Sequence, residues 1–301
     1  MTPARPSLGP ILLGTVVVPD LDAATRAYTE WLGFVVQDEG VVDEALATLW
    51  RAPKALGARL RTVGSTATGS GGVRLVERDR PLDESPLRVP GWRALEICVN
   101  DLHAVRARLE GSPFSVLGEP ASIGGGSPIW ALQATGPGRE MLYLTLTVPG
   151  TIFDLPLAER LVDRMFIAVL SAANLEESRD WFVRHFGAGP ALPAEPYVLT
   201  AVSRDAGLPP ERTYRMTALG LAGQALVEVD EHFPAYLDER PPADDLRSGI
   251  ALITWEVDSL DAVRHLVRDE PVRRDEPPYR GRRVAVAEGP AGELHELVER
   301  A

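Results

Sequence analysis

The chain has 301 residues, 45% hydrophobic and 25% charged, enough apolar side chains to fill two cores. Its 31 Lys and Arg against 43 Asp and Glu leave a formal charge of -12, which repels a phosphate backbone and argues against a nucleic-acid partner. The single cysteine, Cys98, excludes an internal disulfide or thiolate cluster and is expected to be a buried structural thiol.

After a short head through about Ser7, the apolar run Ile11 to Val18 reads as a strand. It is too short to span a bilayer, and no basic segment precedes it as a secretion signal would require, so no membrane partner and a cytoplasmic location are expected. The chain then turns at Pro19-Asp20 into an amphipathic helix ending near Gly33, and Val73 to Val76 reads as the last strand of this first unit. Beyond a loop near Pro81 to Pro90, a second unit starts at Ala94-Leu-Glu-Ile-Cys-Val-Asn-Asp-Leu-His-Ala-Val105 and closes with Gly136-Pro-Gly-Arg-Glu-Met-Leu-Tyr-Leu144, a tight turn running into a strand. Pro149-Gly150 and Pro156 punctuate a linker.

The stretch Phe166 to Gly187 repeats the first unit: Asn174-Leu175 falls 13 residues before Gly187 as Asp20-Leu21 does before Gly33, and Phe182 matches Tyr28. Ala225 to Val229 would be its last strand. After a loop near Pro234 to Arg247, Leu252-Ile-Thr-Trp-Glu-Val-Asp-Ser-Leu-Asp-Ala-Val263 matches the start of the second unit without a gap, and Gly289-Pro-Ala-Gly-Glu-Leu-His-Glu-Leu297 matches its close. A duplication of a duplication follows. Each quarter reads as strand, helix, then two or three strands, an α+β chain of four βαβββ units whose crossovers demand mixed sheets with helices on one face. The other face of such a sheet is a cup, where a small ligand sits. The expected division is a first domain over 8–148, a linker over 149–160 and a second domain over 161–301, each holding two units.

Val18-Pro-Asp-Leu-Asp-Ala-Ala with Tyr28 and Leu32-Gly33-Phe34, Val99-Asn-Asp-Leu, Val257-Asp-Ser-Leu and the terminal Gly292-Glu-Leu-His-Glu-Leu297 together resemble the vicinal oxygen chelate superfamily of glyoxalase-like, bleomycin-resistance-like and extradiol-dioxygenase-like proteins. The resemblance implies two units to a cup, hence a pair of cups, and a metal held by ligands from the first and last strands of the units. By register the first-strand positions are Leu13, Ala94, Ile167 and Leu252, none with a side-chain lone pair. The last-strand positions are Tyr143 and Glu296, with Val76/Glu77 and Val227/Glu228 covering the internal strands. A divalent cation needs several imidazole or carboxylate ligands, so neither a metal nor another cofactor is expected.

Glu296 on the concave face of an apolar pocket would have a raised pKa and suit proton transfer; the alternative is a salt-bridged or solvated residue. His295 beside it points to the opposite face. Tyr143 shares a face with Met141 and Thr145 and either offers a hydroxyl to a ligand or fills the core. Glu96, two residues beyond Ala94, and Glu228 are further candidate carboxylates, and Trp92, Trp130 and Trp255 are either rigid walls for a flat ligand or core. His103, His185 and His265 lie in helical stretches and His232 in an acidic loop, without a zinc-helix spacing. The glycine runs Ser65 to Gly72 and Ser122 to Ser127 read as long hairpin loops or anion cradles, and the arginines of Val272-Arg-Arg-Asp and Arg280-Gly-Arg-Arg283 as surface pairs or ligand clamps.

Two functional classes are expected. One is a metal-independent lyase, isomerase or cyclase acting on an oxygenated small organic molecule by acid/base chemistry, with Glu296 as proton shuttle and Tyr143 as hydrogen-bond donor. The other is a non-catalytic small-molecule binding or drug-sequestration protein of the bleomycin-resistance type, and a purely structural pseudoenzyme is a third option. The chain is expected as a monomer or homodimer.

Overall fold

The computed structural model describes residues 5–67, 69–79, 86–123, 128–198, 200–205, 207–232 and 243–301. The first unit comprises β1 (Leu8–Val18), α1 (Leu21–Arg26, continued by a wider turn over Ala27–Trp31), β2 (Val35–Val41), α2 (Glu44–Leu49), β3 (Arg59–Gly64) and β4 (Gly72–Glu77). The second has β5 (Gly91–Val99), α3 (Leu102–Arg108), the short β6 (Ser115–Val116) and β7 (Ala121–Ser122), β8 (Trp130–Thr135) and β9 (Met141–Leu146). The third has β10 (Val162–Ala172), α4 (Leu175–Phe186), β11 (Glu195–Val198), α5 (Thr200–Asp205), β12 (Thr213–Leu221) and β13 (Ala225–Glu231). The fourth has β14 (Gly249–Val257), β15 (Val272–Arg274), β16 (Arg282–Glu288) and β17 (Leu294–Glu299).

One capping device recurs where the first strand of a unit turns into its helix. Asp20 accepts from the Ala23 amide at 2.8 Å, Asp101 from Ala104 at 2.9 Å and Asn174 from Glu177 at 3.1 Å, satisfying amides that the helix itself leaves free. The fourth unit departs from the expected helix: it has turns and a single 3-10 turn over Arg264–Leu266. Ser259, which stands where Asp101 caps the second unit, accepts from the Ala262 amide only at 3.4 Å, and Pro271 ends the segment soon after. Leu260 and Val263 still bury completely.

The strands form two curled mixed sheets, in the orders β15-β16-β17-β14-β1-β4-β3-β2 and β11-β12-β13-β10-β5-β9-β8-β6. Unit one therefore pairs with unit four through β1 and β14, and unit two with unit three through β5 and β10, both antiparallel. The expectation that neighbouring units within 8–148 and within 161–301 share a cup is corrected by this pairing. Repeats identify the units, but the outer edges of their first strands are chemically alike, so partner choice depends on how the sheets stack.

The convex faces lie back to back around one continuous core that includes Val16, Trp92, Leu95, Leu170, Ile253, Trp255 and Leu297, together with the buried faces of α1, α3 and α4. Gly14 makes the close approach possible, since a Cβ there would stand 2.9 Å from both Leu95 methyls. The concave faces point outward as two cups. Among the described residues no helix is long and apolar enough to cross a membrane.

Candidate functional site

The outer cup of units one and four is filled. α2 and the turn after it lay Leu46, Trp50 and Ala55 over the sheet residues Leu13, Val17, Leu252 and Val298, and Tyr279 comes in from the β15–β16 connection. At the centre, Glu296 is fully buried and receives four hydrogen bonds: Trp50 Nε1 and the Tyr279 hydroxyl donate to Oε1 at 2.7 and 2.8 Å, and Thr254 Oγ1 and Arg74 Nη2 donate to Oε2 at 2.7 and 2.9 Å. Arg74 is equally committed, donating to Thr15 Oγ1 and to the Tyr279 hydroxyl, with its guanidinium 4.6 Å from the centre of the Trp50 ring.

Burial alone would raise the Glu296 carboxyl; the Arg74 charge and the donors from Trp50, Thr254 and Tyr279 outweigh it and hold the group below its ordinary range. The expected raised acid is thus an ion locked in a satisfied pair. This is the salt-bridged alternative, and a proton shuttle needs a reachable oxygen that Glu296 lacks.

The same register explains why this cup does not fit a divalent cation. Arg74 lies opposite Thr15 on β4 as Glu296 lies opposite Thr254 on β17, so the last-strand residue of unit one is Arg74 and not Val76 or Glu77. A guanidinium occupies the ground between the two positions, and Leu13 and Leu252 offer no donor. Glu77 is on the rim, accepting from Arg59 and the Leu21 amide.

The cup of units two and three carries a different set. Its floor alternates Ala94, Glu96 and Cys98 on β5 with Met141, Tyr143 and Thr145 on β9, and Ile167, Val169 and Ser171 on β10 with Leu226, Glu228 and Asp230 on β13. Leu87, Leu117, Phe153, Leu155 and Leu192 form apolar walls. α5 reaches this rim, where Arg204 donates to the Leu117 carbonyl at 3.0 Å. The β-bulge between Ala94 and Trp92 turns Arg93 toward β13, where it donates to Asp230 at 2.8 Å and to Ser171 Oγ at 2.5 Å; Ser171 Oγ in turn lies 2.6 Å from His232 Nδ1.

Among the described residues, two carboxyl groups in this cup have no counter-charge of their own. Glu96, 7% exposed, has a single hydrogen bond, from Thr145 at 2.9 Å; burial pushes it up to about 7 against that bond, with Asp230 adding to the rise. Burial also drives Glu228 well above its ordinary value, reinforced by the charges of Asp230 and Glu96. Glu228 is nevertheless partly exposed. Tyr143, 6% exposed, has no hydrogen-bond partner among the described residues. Burial first, then the charges of Asp230, Glu228 and Glu96, keep its phenol neutral.

Ala94 and Ile167 offer no donor at the first-strand positions, and Asp230 is held by Arg93, so the residues of this cup do not fit the family's metal either. Among the described residues no three His, Cys, Asp or Glu side chains group to hold a metal ion.

The remaining candidates sort by face. Trp92 and Trp255 are fully buried between the sheets, 6.0 Å apart, and Trp92 Nε1 donates to the Leu294 carbonyl, so they are core and not ligand walls. Alternation puts Trp130 on the side of Leu132 and Ala134, away from the cup, where it is 45% exposed. His295 stacks under α4, 4.8 Å from Trp181. Cys98 is a buried thiol bonded to the Arg164 carbonyl and pushed up to about 11 by burial. Of the arginines of β15 and β16, Arg274, Arg282 and Arg283 are taken by Asp43, Glu256, Asp261, Glu276 and Glu299, and Arg273 donates to the Gly281 carbonyl. Of the two glycine runs, Thr68 and residues 124–127 lie outside the described residues.

A cleft of about 640 Å³ between the Ser65 loop and the 148–159 segment shares Phe153 and Leu155 with the cup wall. Ser65 is paired there with Asp163 and Arg164 with Gln224, whereas the Glu96 and Asp230 carboxyl groups of the cup are buried, which makes the cup the better chemical site.

Sequence reasoning put Glu296 and Tyr143 to work together and placed Glu228 with Glu296; the sheets place Tyr143, Glu96 and Glu228 together and Glu296 apart. It missed Arg74, Arg93, Ser171 and Asp230. Asp230 was within reach, because it lies two residues beyond Glu228 on the same face. Arg93 was not, because a bulge breaks the alternation.

No family model matches the chain, and no curated protein matches it by sequence. Among solved structures it is similar to glyoxalase I from Zea mays, with 16% identity and a TM-score of 0.64 over 98% of this chain and 93% of that one. A point variant of that enzyme gives 17% and 0.65 over 98% and 94%. A protein from Bacillus subtilis subsp. subtilis str. 168 gives 13% and 0.65 over 98% and 86%. At these identities the likeness is one of fold.

Proposed function

We propose, from the premise that this chain has the vicinal oxygen chelate fold, that the cup of units two and three is a metal-independent acid/base site for a small organic molecule. The observation that carries this is the pair Glu96 and Glu228 on one apolar floor, neither with a counter-charge of its own among the described residues, beside a buried phenol without a hydrogen-bond partner there. Burial raises both carboxyls, which brings their proton transfer toward neutral pH.

In this reading Glu96, near 7, takes a proton from a carbon next to a carbonyl. The Tyr143 hydroxyl donates a hydrogen bond to the oxygen on which charge develops, and Glu228 flanks it on the same floor. The electron pair then has three outcomes. Reprotonation at a different carbon gives an isomerase, expulsion of a β-substituent a lyase, and attack on an electrophile in the same molecule a cyclase. Glu296, in the other cup, takes no part.

The test is a thermal-shift screen against a metabolite library with mass detection of turnover on every hit. With a converted hit in hand, Glu96→Gln is expected to lower turnover by about 100-fold or more, the size of a general acid/base contribution, with binding retained. Hits that bind to the cup and are returned unchanged would instead support a binding or drug-sequestration protein. An E96Q variant with undiminished turnover would remove Glu96 from the chemistry.

A further inference from the structure

Among the described residues the acidic groups on this floor outnumber the basic ones. Arg93 and Glu96 come from β5, Glu228 and Asp230 from β13 and Tyr143 from β9, and Ser171 Oγ links Arg93 to His232 beyond the end of β13. Arg93 is committed to Asp230 at 2.8 Å with both partners buried. Glu228 stands next to that ion pair on the same strand face, partly exposed, with no ion pair of its own among the described residues. The Tyr143 hydroxyl, 6% exposed and without a partner, looks onto the same ground: the charges of Asp230, Glu228, Arg93 and Glu96 all act on it. Apolar side chains close the rest, among them Met141, Phe166, Ile167 and Leu226.

Among the described residues this floor carries three carboxyl groups against one guanidinium, and that guanidinium is paired with Asp230, so a positive charge on an apolar body finds an unpaired carboxyl at Glu228. We infer that the ligand of this cup carries a cationic nitrogen, a protonated amine on a small aromatic or aliphatic frame, for which Glu228 is the counter-ion and the Tyr143 ring and hydroxyl the flanking contact. This rests on the reading of the cup as a ligand site and adds the ligand's charge to it. An anionic ligand is disfavoured on the same grounds, because the one guanidinium is already spent on Asp230 and Ser171. Glu96 remains the base. Burial raises Glu228 toward its protonated form and a bound ammonium favours the carboxylate, so a cation binds with net proton release, whereas a neutral ligand does not.

The experiment is calorimetric titration at pH 7.5 with three probes that share one ring, benzylamine, benzyl alcohol and benzoate, in buffers of different ionisation enthalpy. Benzylamine is expected to bind at least about tenfold more tightly than benzyl alcohol, as a desolvated charge pair does over its neutral counterpart, with net proton release, and benzoate not to bind. Glu228→Gln is expected to erase that preference while leaving the affinity for benzyl alcohol in place. Equal affinity for amine and alcohol, or a preference that survives in E228Q, overturns the cationic ligand and leaves the cup a ligand site. Failure of all three probes to bind overturns the ligand site as well. Should E228Q not fold, proton release by the unaltered protein decides: its absence on benzylamine binding overturns the inference.

Discussion

Glu296→Gln is expected to destabilise the protein by about 3–5 kcal/mol at pH 7, the usual cost of stripping one partner from a buried ion pair. Glutamine keeps the volume and one acceptor for Trp50 and Tyr279, but leaves the buried Arg74 guanidinium without its charge. Urea unfolding followed at pH 7 reads the loss directly. The carboxyl is held below its ordinary range in the folded state, so its stabilisation is present above the unfolded-state value and disappears as the pH falls through the folded-state one. The gap between the two proteins should therefore narrow in acid. An unchanged midpoint at pH 7 would mean that the Arg74–Glu296 pair does not hold the filled cup together. Turnover or binding by the variant that remains folded is expected to match the parent, since Glu296 lies in the other cup.

Glu140→Gln is expected to act with the opposite sign. Glu140 closes the turn before β9, is fully buried, and accepts from the Tyr28 hydroxyl at 2.7 Å, while its second oxygen has no partner. Burial pushes this carboxyl up to about 7 against the bond from Tyr28. A group whose folded-state pKa is raised stabilises fully below its unfolded value near 4.5, and that contribution is lost as the pH rises to about 7. Over that interval the cost of ionising it accumulates to about 3 kcal/mol at roughly 1.4 kcal/mol per unit. The glutamine variant carries no such cost. It should unfold near the parent's midpoint at pH 4.5 and at a clearly higher one at pH 8, as urea titrations at the two values would show. Equal midpoints at pH 8 would mean that the buried carboxyl meets a partner that accommodates its charge.

How much of the site was legible follows from which residues obey local rules. Tyr143 and Glu96 could be placed on one face because they belong to one unit, and the parallel pairing of β5 with β9 sets them side by side. Glu228 belongs to another unit, and only the antiparallel union of β5 and β10 brings it over the same floor. Trp92 and Trp255 had equal claims to a wall or a core, because an aromatic side chain near a strand start is the same signal in both places. Burial on the convex side decided for core. The helix expected after Val257 illustrates the same limit: its apolar positions Leu260 and Val263 are present and buried, and Ser259 holds the capping position, yet the chain forms only turns and a 3-10 turn there.

By itself the sequence determined the four units, their capping residues at Asp20, Asp101 and Asn174, the closing turns at Gly136 and Gly289, and the absence of donors at the first-strand positions. These are matters of spacing and residue type within a few turns of chain, where local hydrogen bonding and alternation dominate. The tertiary structure alone decided which units share a cup, that one cup is filled by α2 and Tyr279 around an internal guanidinium, and that the other keeps two carboxyls without a counter-charge among the described residues. Burial and charge pairing depend on side chains that meet across 222 residues, as Arg74 and Glu296 do, and a carboxylate in a sequence carries no mark of whether a guanidinium or a ligand will face it.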